Sequence, residues 1–327
     1  MQICMMIPPV PDRRWALARQ MGVEAAIAKL APELTNQSPP WDAESLHTSV
    51  GRYAEAGFKI VGLEGDQFDM SRIKLGLPGR DEDIELYAKM IRNMGREGIS
   101  LLCLNFMAGI GWHRTRTDVL GRGGARVSSF DRTQPQELTS LGVIPSEDIW
   151  RNFEYFIRRV APVAEDSGVR LGLHPDDPPV PELHGIGRVL NTIEALEKAV
   201  DIAASPSVGV TFCQGTIATM GEDVLAAARR FGRERIFFVH VRDVRASSGS
   251  FVETFPDEGQ TPMAELFQVY SELGLECPIR PDHAPAMDGD GVTGDKVNGI
   301  NVGYEAIGMV HSLGFLQGLM LATKLRT

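Results

Sequence analysis

The chain has 327 residues, 43% hydrophobic and 23% charged, which is ordinary for a globular protein with apolar surface enough for a large core. Lys and Arg total 33 against 43 Asp and Glu, and the net charge of −10 argues against nucleic acid and anionic membrane surfaces as partners. No run nears the ~18 apolar residues of a membrane span, and no charged start with an apolar signal core opens the chain, so the expected location is cytoplasmic. The four cysteines, Cys4, Cys103, Cys213 and Cys277, are far apart with no CxxC pair, which suits reduced thiols.

Short apolar runs alternate with longer stretches of helical periodicity, the pattern of parallel strands joined by crossover helices. Eight runs read as strands: Gln2 to Ile7, Val23 to Leu30, Phe58 to Glu64, Ile99 to Phe106, Val169 to His174, Val208 to Cys213, Ile236 to Val241 and Pro278 to Asp282. The second, VEAAIAKLA, also suits a helix. Between strands, Ile84, Tyr87, Ile91 and Met94 recur at helical spacing, as do Ile149, Phe153, Phe156, Val160 and Val163. Eight strands close a barrel, so the expected architecture is a single α/β domain over 1–327, a (β/α)8 TIM barrel. Two stretches break the rhythm, 113–146, rich in Gly, Arg, Ser and Thr, and 284–303, rich in Gly and Asp. Each follows a strand's C-terminal end, where barrel enzymes carry substrate-covering loops. The first is expected to be a lid; the plain alternative is a surface excursion.

Four strand ends carry the residues of chemical interest: LGLHPDD ends in His174, VTFCQG in Cys213, FFVHVRD in His240, and PIRPDH in Asp282 and His283. Singly, a strand-end His is more often a satisfied polar residue, and a Cys on an apolar strand a small hydrophobe. Jointly, imidazole, thiol, imidazole and carboxylate on four consecutive parallel strands converge on one barrel mouth. That mixed donor set suits Mn²⁺, Fe²⁺ or Zn²⁺ and is a poor set for Mg²⁺ or Ca²⁺. Arg242 and Arg280 sit at the same ends, where a guanidinium fork matches a substrate carboxylate. Either can instead pair with Asp176, Asp177 or Asp243. Asn105 and His113, after strand four, are further candidate substrate contacts.

The segments HPDDPP (from His174), TFCQGT (from Thr211), FVHVRDV (from Phe238) and RPDH (from Arg280) resemble, in order and spacing, the motif series of mannonate dehydratases. DMSRIKLGLPGRDEDIELYAKMIRNMGREGI from Asp69, NFMAGIGWHRT from Asn105 and GYEAIGMVHSLGFLQGLM from Gly303 join them, so the similarity runs from about Phe58 to the C-terminus. The resemblance implies a xylose-isomerase-like barrel that dehydrates D-mannonate, a small-molecule sugar acid, to 2-keto-3-deoxy-D-gluconate. It implies one divalent metal, Mn²⁺ first and Fe²⁺ second, held by His174, Cys213, His240 and Asp282, with His283 and Tyr304 as the acid–base pair. A homo-oligomer is compatible with it.

Two segments depart from the pattern. MQICMMIPPVPDRRW does not show the aromatic and glycine-containing first strand of the family, and APELTNQSPPW lacks a persuasive match to the family's segment after the second strand. Because barrel mouths shape the substrate, the alternative is a related metal-dependent sugar isomerase, epimerase or lyase acting on a different sugar or sugar acid.

Overall fold

The computed structural model describes residues 1–290 and 303–325. All eight expected runs are strands: Gln2–Met6, Ala25–Ala28, Lys59–Glu64, Leu101–Leu104, Arg170–Leu173, Val208–Cys213, Ile236–Val241 and Pro278–Pro281. They close into a barrel in which each strand lies beside the next barrel strand in sequence. The ambiguous second run is a strand with all four residues buried. Burial on both faces removes the alternation that marks a half-exposed strand, which is why its sequence also fits a helix.

The chain falls into two compact units, one of Met1–Ala26, Arg114–Gln134 and Thr211–Thr327, the other of Ile27–His113 and Pro135–Val210. In the second unit the parallel registers include Gly62↔Leu101, Leu102↔Leu171 and Val210↔Leu173. The helices Arg80–Arg96 and Ser146–Asp166 bury Ile84, Tyr87, Ile91 and Met94, and Ile149, Phe153, Phe156 and Val160, while Val163 is partly exposed. Aromatic rings there meet edge to face, Tyr87 with Phe156 at 5.0 Å, and Phe106, just beyond the strand Leu101–Leu104, with Phe153 at 5.3 Å. Each such buried side chain contributes roughly 1.5–3 kcal/mol relative to exposure.

In the first unit Ile3 pairs with Ile279, and His240 and Val241 pair with Arg280 and Pro281. The last register sets the His240 and Arg280 side chains next to each other. Most of the 113–146 stretch in this unit is regular rather than loop. Arg116–Leu120 and Arg126–Phe130 form a hairpin, and Val244–Ser247 and Ser250–Glu253 form another. The hairpins join through Phe251↔Phe130 into a four-stranded antiparallel sheet, with the two rings 6.0 Å apart. This hairpin is not evident in the sequence because the strand Arg126–Phe130 is stabilised in part by a partner distant in sequence, and its run RVSSF carries little periodicity of its own. Of the second expected loop, Ala286 bridges to Arg126, and residues 291–302 lie outside those described. Among the described residues no helix is long and apolar enough to cross a membrane.

Candidate active site

Four segments of the first unit deliver the site. Cys213 ends the strand Val208–Cys213 and caps the short helix Gln214–Thr219, His240 lies in Ile236–Val241, and Asp282 and His283 directly follow Pro278–Pro281. Tyr304 precedes the helix Ala306–Ala322. All five side chains are buried.

Asp282 is their common neighbour, and its two oxygens face different groups. Oδ2 lies 3.7 Å from Cys213 Sγ, 3.9 Å from His240 Nδ1 and 3.8 Å from Arg242 Nη1. Oδ1 accepts from the Tyr304 hydroxyl at 2.5 Å and from Arg280 Nη1 at 3.0 Å, and His283 Nε2 is 4.0 Å away. Burial alone would raise the Asp282 pKa, but His283, Arg280, His240 and Arg242 together hold it well below the usual carboxylate range.

A sulfur, a nitrogen and an oxygen at 3.7–3.9 Å are spaced as ligands of one ion with bonds of ~2.0–2.3 Å. The His174 amide donates to the Leu104 carbonyl at 2.7 Å. Its ring Nδ1 is 2.6 Å from the Pro175 carbonyl. A carbonyl only accepts, so Nδ1 carries the proton and Nε2 keeps a lone pair suited to a metal. The donor chemistry therefore fits a divalent ion.

Both arginines are exposed by 1% or less. Arg280 donates to the Pro281 carbonyl, Asp282 and the Tyr304 hydroxyl, and its Nη2 is 3.5 Å from His240 Nδ1. Its guanidinium thus holds the site's own groups. Arg242 Nη1 lies 3.4 Å from Thr216 Oγ1 and 3.9 Å from Cys213 Sγ. Gly215 makes room for it, since a Cβ there would sit 2.8 Å from Arg242 Nε. Two of the aspartates weighed as partners bond backbone amides: Asp243 accepts from the Val244 and Thr261 amides, and Asp176 from those of Val189 and Leu190. Burial outweighs the amide bonds at Asp243 and raises its pKa to about 6.

Asn105 and His113 lie in the other unit. Asn105 Oδ1 accepts from the buried Lys74 ammonium at 2.9 Å and from the Met107 amide at 3.1 Å. His113 stands edge-on to His184, ring centroids 5.1 Å apart, and its amide donates to the Asp177 carbonyl.

Sequence reading alone does not find Glu253 and Arg114. Glu253 Oε1 accepts from Arg114 Nη2 at 2.6 Å and Nε at 3.1 Å, meets His283 Nδ1 at 3.1 Å, and lies 3.6 Å from Arg242 Nε. Burial would raise its pKa, yet His283, Arg242 and Arg114 bring it to about 2, so it is a carboxylate. Nothing in FVETFPDEG separates this glutamate from the surface acids beside it. Arg14 is equally silent in the sequence; paired with Asp12, it donates to the Tyr304 carbonyl at 3.3 Å. The unmatched opening segment thus supports the backbone of a matched one.

The D-mannonate dehydratase family model matches residues 15–145 and 135–326. A mannonate dehydratase of Streptococcus agalactiae serotype Ia is 32% identical over 315 residues, covering 87% of this chain and 88% of its own length. One from Shouchella clausii is 31% identical over 344 residues, covering 93% of each chain. The crystal structure of mannonate dehydratase from Streptococcus suis serotype 2 superposes with a TM-score of 0.87 at 27% identity, over 99% of this chain and 95% of that one. A D-tagatose 3-epimerase-like protein shares the barrel fold at a TM-score of 0.65 and 14% identity. By these matches, spread over nearly its whole length, the chain belongs to the D-mannonate dehydratase family.

Proposed function

We propose that this chain removes water from D-mannonate, giving 2-keto-3-deoxy-D-gluconate, and that the residues around Asp282 carry the reaction. The observation that supports the assignment best is the division of Asp282 between candidate metal donors at Oδ2 and the candidate acid–base pair, Tyr304 and His283, at Oδ1. His174, Cys213, His240 and Asp282 would hold one divalent ion, Mn²⁺ first and Fe²⁺ second. When bound, such an ion supplies positive charge to offset the charge that develops on the substrate carboxylate as the C2 proton leaves.

The chain's own groups divide the proton transfers. The Tyr304 hydroxyl donates to Asp282 and accepts from Arg280, so it carries a proton that it can give to the departing 3-hydroxyl. His283 offers its Nδ1–H to Glu253, which turns the Nε2 lone pair toward the C2 proton. The C2–H and C3–O bonds break, water leaves, and the enol of the keto acid takes a proton at C3 as it ketonises. Acid–base help of this kind is worth typically ~10²–10⁴-fold.

Arg114, Arg242 and Arg280 give this end of an acidic chain a buried cationic character that favours an anionic substrate. Of the two arginines at the strand ends, Arg242 is assigned to the substrate carboxylate and Arg280 to holding Asp282 and Tyr304. Asn105 and His113 are assigned to substrate hydroxyls. Four buried cysteines, none in a disulfide, suit the cytoplasm.

The test is kcat/KM of the Mn²⁺-loaded protein for D-mannonate, its C2 epimer D-gluconate and a set of keto-sugars. D-mannonate should lead. A clear preference for a keto-sugar would replace this assignment with that of an isomerase or epimerase.

A further inference from the structure

The four-stranded sheet outside the barrel sends one charged group into the site. Glu253, last residue of the strand Ser250–Glu253, is 5% exposed, and its Oε1 gathers the Arg114 guanidinium and the His283 ring. Arg114 in turn is anchored by Ser128 Oγ at 3.2 Å and lies over the Phe251 ring at 4.7 Å, both parts of the same sheet. The carboxylate is thus fixed from behind by a rigid element, with the imidazole in front of it. A carboxylate only accepts, so His283 Nδ1 carries a proton, which leaves Nε2, the ring atom that faces Asp282 Oδ1, as the nitrogen that can exchange one with substrate.

We propose that Glu253 is a positioning residue for the dehydration, acting through His283: it fixes the ring's tautomer and orientation so that Nε2 stands ready to take the C2 proton. The proposal rests on the functional reading above. It also gives the sheet a role in turnover beyond covering the barrel, since the sheet supplies the group that sets His283. Its neighbours limit the ways Glu253 can act. His283 and Arg114 bond Oε1, Arg242 Nε lies 3.6 Å from it, and His283 and Arg242 are also neighbours of Asp282.

Two variants separate positioning from mere packing. Glu253→Gln keeps the shape but can present an N–H to His283; Glu253→Asp keeps the charge for Arg114 and Arg242 but draws the carboxylate back from the ring. Both should lower kcat roughly 10²-fold, with KM within about threefold of wild type and normal metal content and melting. In a His283→Asn background, whose residual turnover is the reference, neither change should lower kcat further, because the group it acts through is gone. If Glu253→Gln melts early, Glu253→Asp decides the question. Wild-type kcat in folded Glu253→Asp, or losses that multiply in the double variants, would overturn the role of Glu253 while leaving the function intact. Wild-type protein that fails to turn over D-mannonate in the same assay would overturn both.

Discussion

The Tyr304 hydroxyl lies 2.5 Å from Asp282 Oδ1, on the oxygen opposite the one that faces Cys213 and His240. Loss of the hydroxyl should therefore disable proton transfer and spare the metal. Tyr304→Phe is expected to lower kcat by about 10²-fold or more with metal content unchanged, and His283→Asn to do the same. Steady-state kinetics with elemental analysis checks both; near wild-type turnover in either variant removes that residue from the mechanism.

The proposed ligands predict a different phenotype. His174→Ala and His240→Ala should lose the ion on chelation and dialysis, and Cys213→Ser should bind it more weakly because a hydroxyl replaces a soft sulfur. Full occupancy and activity of both alanine variants after that treatment would show that the ion is held elsewhere.

Gly303 shapes the approach to Tyr304. Its φ is +99°, and a Cβ there would lie 2.9 Å from His283 Cβ, so Gly303→Ala combines backbone strain with displacement of a proposed catalytic ring. The expected cost is about 1–3 kcal/mol of stability together with a fall in kcat. Gly318→Ala is the control: it sits in the helix Ala306–Ala322 with open space around it and should hold or raise the melting temperature. Equal melting temperatures and turnover for Gly303→Ala and wild type would refute the constraint.

Two buried acids shape the pH dependence of stability in opposite ways. Asp243 has a folded pKa of about 6 against an ordinary 3.8, so between these values the unfolded chain ionises first and stability falls as pH rises. Asp243→Asn should remove that fall and be more stable than wild type above pH 6, by on the order of 2 kcal/mol. Glu253, at about 2 against 4.5, contributes stability that is full above 4.5 and lost as pH falls toward 2. Denaturant titrations of wild type and Asp243→Asn across pH 4 to 8 decide the first point; parallel curves contradict it.

The barrel is legible because its strands are short apolar runs, and the strand ends stand out because His174, Cys213, His240 and Asp282 interrupt those runs with groups that packing does not need. Glu253 and Arg114 are not legible. They meet only because Phe251 pairs with Phe130 across a long stretch of chain, and no local pattern encodes that register. Arg280 reads in the sequence as a fork for substrate, yet its position beside His240 and next to Asp282 turns its donors inward. Residue type indicates a cation at the mouth, but only the pairing of strands shows what that cation holds.

The central claim is that this site eliminates water from an aldonate, and an NMR time course in deuterium oxide tests it most directly. With Mn²⁺-loaded protein and D-mannonate, the account predicts steady conversion to 2-keto-3-deoxy-D-gluconate carrying solvent deuterium at C3, at a rate typical of enzymes. Deuterium exchange or epimerisation of a keto-sugar, with no water lost from any aldonate, would contradict it.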